Sequence, residues 1–152
     1  MLASNRHRAA VGRRLGMAPN ELATLGLLAE HGALTPGAIG SRLVLTSGGV
    51  TALLHRLERD GHVHRTPHPG DGRSSLVRAD PAAVERVARL SAPLVVLLDA
   101  EIAALSEPHR QVVTRFLTRV VAATEQQAAA LLRPVADVPV GPDEDAADGL
   151  WT

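Results

Sequence analysis

Cysteine is missing from all 152 residues, so neither a disulfide framework nor a thiol-based redox sensor is possible. Tyrosine is missing too, and with one Phe and one Trp the aromatic share is only 1%. A core must therefore be built from Leu, Val and Ala, which favours helices packed on helices over a β-sandwich. No apolar run approaches the roughly 20 residues that span a bilayer, and the N-terminus lacks a signal peptide's apolar core. These absences lead us to expect a cytoplasmic protein with no membrane contact. Signatures of common catalytic sites are lacking as well: there is no G-x-S-x-G, no Walker loop, no H-E-x-x-H and no G-x-G-x-x-G after a strand. Ser74 and Ser75 have no evident base nearby. The expectation is a non-enzyme without a cofactor.

Lysine is also absent, and all 16 cationic residues are arginine, balanced by 16 acids. A net charge of zero at first argues against a nucleic-acid partner, but the distribution matters more than the sum. Residues 1–79 carry ten Arg against five acids, a net +5, and the remainder carries −5. One half is basic. The 45% hydrophobic content suits one compact domain and hardly two independent cores.

The stretch from Leu34 to Asp80 organises the rest. Thr35-Pro36 supplies a capping oxygen followed by a residue whose fixed φ suits the first helical position, so a helix should begin there, with Ile39 and Leu43 on one face. The segment LVLTS turns the chain before a second start at Thr46, after which Val50, Leu53, Leu54 and Leu57 form one apolar stripe. Opposite that stripe lie Gly48, Ala52, His55 and Arg59, with Thr51 and Arg56 on its flanks. Gly48 and Gly49 in the first turn each cost about 1 kcal/mol of helix propensity relative to alanine, which close approach to another surface would offset. Tolerance of glycine in a first turn is the alternative.

Gly61 stands where a helix needs a left-handed residue to stop. Strand-like Val63 to Thr66 follows, then a Pro/Gly-rich loop PHPGDG, too long for a two-residue turn, and a second strand around Ser75 to Arg78. Arg65, Arg73 and Arg78 fall on this hairpin, which has little apolar content to bury. An exposed basic hairpin beside a helix with an open face points to nucleic acid.

The segment resembles the winged helix-turn-helix of MarR-family transcription regulators, in which a leucine-patterned recognition helix ends in R-L-E-x-x-G and leads into a wing bearing D-x-R. Those pieces are here Arg56-Leu57-Glu58-Arg59-Asp60-Gly61 and Asp71-Gly72-Arg73. Pro19 to Glu30 resembles the helix before the motif, the helices after Asp80 resemble the family's dimerisation region, and the likeness covers about residues 5–132. Departures are specific. Gly72 stands where many members carry a first wing arginine, His55 where an acid often precedes R-L-E, and Ala52 where a basic residue is common. The last of these leaves base reading more to apolar contact with thymine methyls and to shape.

The resemblance implies a mainly α fold with a small β-hairpin wing, a winged helix-turn-helix plus a helical dimerisation region. Its expected parts are an N-terminal, dimer-associated helix over 1–16, the DNA-binding domain over 17–80, dimerisation helices over 81–133 and a disordered acidic tail over 134–152, in which Trp151 is the sole anchor. The first of these, with Arg6, Arg8, Arg13 and Arg14, reads as a phosphate-contacting or dimer-clasping arm or as a solvated face. In the helix opened by Pro19, Leu22, Leu25, Leu28 and Ala29 should face inward, ending near Gly32. Asp80-Pro81 starts the longest helical stretch, in which Pro93 should kink or break the helix about one turn earlier.

Expected DNA-binding residues are Thr35, Ser47, Gly48, Thr51, Ala52, His55, Arg56, Arg59, Arg65 and Arg73. The apolar stripe of Leu94, Val95, Leu98 and Ile102, and the doublets Val112/Val113, Phe116/Leu117 and Val120/Val121, are wider than one partner helix requires and read as a homodimer interface. An intramolecular helical core is the alternative. The implied function is a DNA-binding transcriptional regulator, a repressor of a pseudo-palindromic double-stranded site released by a small-molecule effector whose binding residues are unknown. Two other readings remain: a helical protein-protein interaction module, and a zinc-responsive regulator using His62, His64 and His68. No metal site is expected.

Overall fold

A computed structural model describes residues 2–132, the side chains of Leu2 and of residues 71–73 excepted. The expected acidic tail and Trp151 lie outside the described residues. The elements run α1 (Leu2–Leu15), α2 (Pro19–His31), α3 (Pro36–Leu43), α4 (Ser47–Arg59), β1 (Val63–His68), β2 (Asp71–Ala79), α5 (Pro81–Ala104) and α6 (Glu107–Leu131). The described residues fall into two compact units, which divide between Ala100 and Glu101. Among the described residues no single helix is long and apolar enough to cross a membrane.

The core of the first unit is the helix-turn-helix pair. Thr35 Oγ1 accepts the Ala38 N–H at 3.2 Å and Pro36 opens α3, as the cap-then-proline pattern predicts. Between α3 and α4 the chain turns by 111° over Val44, Leu45 and Thr46, the geometry of a helix-turn-helix. Thr46 Oγ1 accepts the Gly49 N–H at 3.2 Å to cap α4. The stripe read from the sequence is the one buried: Val50, Leu53, Leu54 and Leu57 are all at most 4% exposed, packed in one cluster with Leu25, Ile39 and Val77. Fully burying each such side chain contributes about 1.5–3 kcal/mol, so the placement of α4 is set by its inner face.

Two residues make the tight turn possible. A Cβ on Gly40 would lie 2.8 Å from Val50 Cγ2, so the absence of a side chain lets α3 approach α4. Val44 closes α3 in the left-handed region at φ 55°, a conformation that crowds a β-branched residue, and its side chain is 62% exposed.

Gly61, at φ 69°, ends α4 as expected, and the His62 N–H bonds back to the Leu57 carbonyl at 2.8 Å. The wing departs from the sequence reading. The strands run on through most of PHPGDG, leaving Pro69 and Gly70 as a two-residue connection. Length is absorbed by an irregularity between Pro67 and His68: Pro67 faces Ser75, whereas His68 faces Asp71. A single bridge from Leu34 to Val77, with N–H···O bonds of 2.8 and 3.1 Å, ties the segment before α3 to β2.

In α2, Leu22, Leu25 and Leu28 are buried as expected, but Ala29 is exposed; Thr24 takes the inward position instead. The Thr24 hydroxyl donates to the Asn20 carbonyl at 2.7 Å, which lets a polar residue be buried without an unpaired donor. Asp80 caps α5 through its Oδ1 and the Ala83 N–H at 3.0 Å. Of the kink or break expected near Pro93, the break is absent: the helix is continuous from Pro81 to Ala104. Val84, Val87, Leu90 and Leu94 along it are half-buried, while Val95, Leu98 and Ile102 are each more than half exposed.

In the second unit, α6 buries no residue: Val112, Val113, Phe116, Leu117, Val120 and Val121 are 37–63% exposed. Glu107, in the first turn of α6, is held below the ordinary carboxylate range by hydrogen bonds from Arg110 and Gln111.

Two substitutions test the turn. Gly40→Ala should lower unfolding stability by about 1–3 kcal/mol by forcing α3 and α4 apart. Val44→Gly should raise it by about 1 kcal/mol by relieving the left-handed strain. Denaturant unfolding of both variants measures this, and a loss with Val44→Gly would show that the Val44 side chain, not the backbone strain, governs the turn.

Candidate nucleic-acid interface

The outer face of α4 is the candidate surface. Ser47, Gly48, Thr51, Ala52, His55 and Arg56 line one shallow depression, and all six are exposed. Five of them follow from the 3.6-residue period alone, because they lie opposite or beside the buried stripe; Ser47 opens the helix. The face is small and uncharged over its first turn and becomes basic toward its end.

The two glycines at its start have different reasons. A Cβ on Gly49 would come 3.2 Å from Thr46 Oγ1, crowding the cap of the helix. A Cβ on Gly48 would meet nothing within 4 Å, so nothing in the fold requires glycine there. Its effect is to expose the first turn of α4, where unpaired backbone N–H groups and the positive end of the helix dipole favour an approaching anion. The Thr51 hydroxyl donates to the Ser47 carbonyl at 3.0 Å.

The arginines are held in distinct ways. Arg56 Nε donates to Glu21 Oε1 at 2.8 Å, joining α4 to α2. Arg65 Nε, on β1, lies 3.1 Å from Glu58 Oε2, and with both side chains 34% exposed this pair joins the root of the wing to α4. Arg59 Nε donates to its neighbour Asp60 at 2.9 Å. That hydrogen bond draws the Asp60 carboxyl below its ordinary range and raises the Arg59 guanidinium, but both groups are exposed, and a pair in water is a weak clasp. Thr35 is half-buried and its hydroxyl oxygen is engaged as the cap of α3. Arg73 lies in β2, and its side chain is outside the described residues.

The Arg56-Leu57-Glu58 triplet thus acts as a fastening: Arg56 reaches α2, Leu57 is wholly buried, and Glu58 reaches the wing. The sequence reading missed Glu21 and Glu58 as partners. For Glu21 the only signal was an acid at the third position of a proline-opened helix, which suits return capping, and its Oε2 does accept the Ala18 N–H at 2.8 Å. Its second bond spans 35 residues and has no local signature.

His62 Nδ1 lies 3.3 Å from Arg86 Nη2, and His68 Nδ1 accepts the Gly70 N–H at 3.1 Å. Among the described residues, no group of three His, Cys, Asp or Glu stands close enough to hold a metal ion.

A family model described as the MarR family matches residues 15–74, from the end of α1 into the wing. The winged-helix lobe is similar to the MarR family. YcgE of Bacillus subtilis, an uncharacterised helix-turn-helix-type transcriptional regulator, is 36% identical to this chain over 88 residues, 58% of this chain and 56% of its own length. The chain thus spans about half the length of the curated relatives it matches. Among solved structures, a mutant of MepR from a multidrug-resistant clinical isolate of Staphylococcus aureus superposes with a TM-score of 0.66 at 21% identity, covering 77% of this chain and 86% of that one. FabT from Streptococcus pneumoniae, crystallised in complex with DNA, gives 0.58 at 22% identity over 70% and 75% of the two chains. At these identities the likeness establishes the fold, a MarR-type winged helix with its hairpin and flanking helices.

The open position at Gly48 yields a stability prediction. Gly48→Ala should raise unfolding stability by up to about 1 kcal/mol through helix propensity, whereas Gly49→Ala should not, because it crowds the cap. Paired thermal melts distinguish the two.

Proposed function

We propose that this chain is a homodimeric, cytoplasmic, DNA-binding transcriptional regulator of a pseudo-palindromic double-stranded site, acting as a repressor whose DNA affinity falls when a small molecule binds. The observation that carries the DNA-binding reading is the outer face of α4, exposed along its length and opened at its first turn by a glycine the fold does not need. Ser47, Gly48, Thr51, Ala52 and His55 meet the major groove in this reading, and Arg56 and Arg59 reach phosphates or bases beside it. Thr35, at the start of α3, and Arg65, at the wing root, stand near the backbone, and Arg73 approaches the minor groove. The DNA in the FabT crystal and the regulator description of YcgE support the assignment.

Dimerisation is supported by what α5 and α6 leave in water. Val95, Leu98, Ile102, Phe116 and Leu117 are each more than half exposed, and each forgoes about 1.5–3 kcal/mol of burial unless something covers it. A second copy of the chain, joined symmetrically, covers the same residues on both sides and presents two recognition helices to half-sites about 10 bp apart. The effector half of the reading is supported by a cavity of about 490 Å³ between α1 and α2, bordered by Arg8, Gly12, Met17, Pro19 and Leu22, a volume that suits a small organic molecule. A ligand that changes the spacing of the two DNA-binding lobes spoils their match to two half-sites.

Selection of genomic DNA fragments by the purified protein tests the function. Wild type should enrich a pseudo-palindrome, and Arg73→Ala should lose the enrichment with a salt slope shallower by about one unit. Gly48→Ala should bind more weakly in spite of its more stable fold. No enrichment at any salt concentration would favour a protein-protein interaction module. Separately, Leu98→Glu and Phe116→Glu should convert the species seen by analytical ultracentrifugation from dimer to monomer; wild type sedimenting as a monomer would remove the dimer.

A further inference from the structure

Glu21 joins two parts of the molecule that sequence distance separates. Its side chain is 10% exposed. Oε2 accepts the Ala18 N–H at 2.8 Å, which fixes the carboxylate to the start of its own helix, and Oε1 accepts the Arg56 Nε–H at 2.8 Å. The Arg56 side chain is 45% exposed and borders the depression on α4. A guanidinium is a rigid planar fork of five donors, so engaging Nε fixes the plane and direction of the Nη edge. We infer that Glu21 is a positioning residue, holding the Arg56 guanidinium so that its Nη edge meets a DNA phosphate beside the groove. The inference rests on the DNA-binding reading above.

Two effects of the carboxylate oppose each other. Its negative charge weakens the pull of Arg56 on a phosphate. Against this, it removes in advance the rotamer freedom that a long arginine side chain would otherwise lose on binding. Ordering prevails because the carboxylate is buried and shared between two donors, one of them backbone. The phosphate stands a guanidinium width further out, at a surface where water and salt screen the repulsion.

The test is a mutant cycle on binding to mixed-sequence double-stranded DNA of one fixed length, across a range of salt concentrations. That probe reports phosphate contacts independently of any operator. Arg56→Ala should weaken binding and lower the salt slope by about one unit. Glu21→Gln keeps the size of the side chain and an acceptor for the Ala18 N–H, and should weaken binding by about threefold to tenfold, within the worth of a charge-assisted bond. In the Arg56→Ala background Glu21→Gln should cause no further weakening, because there is no arginine left to orient.

Other outcomes overturn the inference. Unchanged or tighter binding with Glu21→Gln alone would make Glu21 at most a repulsive charge. Equal weakening in both backgrounds would make its role structural. If Glu21→Gln lowers the melting temperature, Arg56→Lys, compared singly with wild type and Arg56→Ala, takes the place of the cycle. That variant keeps the charge and the α2 cap but lacks the fork, so it should lose about as much affinity; full affinity would sink the inference. If wild type binds DNA and Arg56→Ala leaves affinity and slope unchanged, this inference alone fails; if wild type binds no duplex, the DNA-binding reading fails.

Discussion

Burial of one side of α4 is the constraint on which the rest depends. Val50, Leu53, Leu54 and Leu57 occupy the inward positions so completely that the outer face has no freedom in where it points. Everything around that helix serves its placement. Gly40 lets α3 come close, Thr46 caps the first turn, and Gly61 releases the chain into the wing. With the inner face fixed by packing, the outer face is free to carry residues chosen for something outside the molecule. Gly48, which no neighbour crowds, is the residue where that freedom is most visible.

Polar fastenings complete what apolar packing begins. A buried stripe sets the depth and rotation of a helix but constrains sliding along its axis less strongly, and two ion pairs resist such sliding. Arg56 to Glu21 ties α4 to α2, and Glu58 to Arg65 ties it to β1. Because Leu57 lies between them and is wholly buried, three consecutive residues reach three different neighbours. This gives physical content to the R-L-E pattern: it places an arginine, an anchor and an acid in directions about 100° apart around the helix.

How much of this was legible in the sequence follows from how local each signal is. Helix starts marked by Thr35-Pro36, Thr46 and Asp80-Pro81, and the stop at Gly61, were readable because capping depends on neighbours within four residues. The α4 face was readable because periodicity is local too. The wing connection was not: proline and glycine at Pro67, Pro69 and Gly70 signal loop, yet a register irregularity lets the strands continue around them. Counting along α2 puts Ala29 inside, but Thr24 is buried in its stead by bonding its hydroxyl to the Asn20 carbonyl. The helix α5 continues through Pro93 in spite of the local cost. Glu21 lay beyond reach, since nothing within its own helix indicates a partner 35 residues on.

The first turn of α2 has consequences at both ends of the lobe. Pro19 and Leu22 border the cavity against α1, and Glu21, between them in sequence, holds Arg56 on the outer face of α4. A helical turn is stiff, so a molecule that filled the cavity and shifted Pro19 and Leu22 would move the Glu21 carboxylate with them. The Arg56 guanidinium would follow, because its Nε is bound to that carboxylate at 2.8 Å. Leu22 also belongs to the apolar cluster that holds the α4 stripe, so such a shift carries a packing cost as well. A ligand's differential affinity for the two positions of one turn has to exceed that packing cost together with the cost of reorienting one half-exposed arginine.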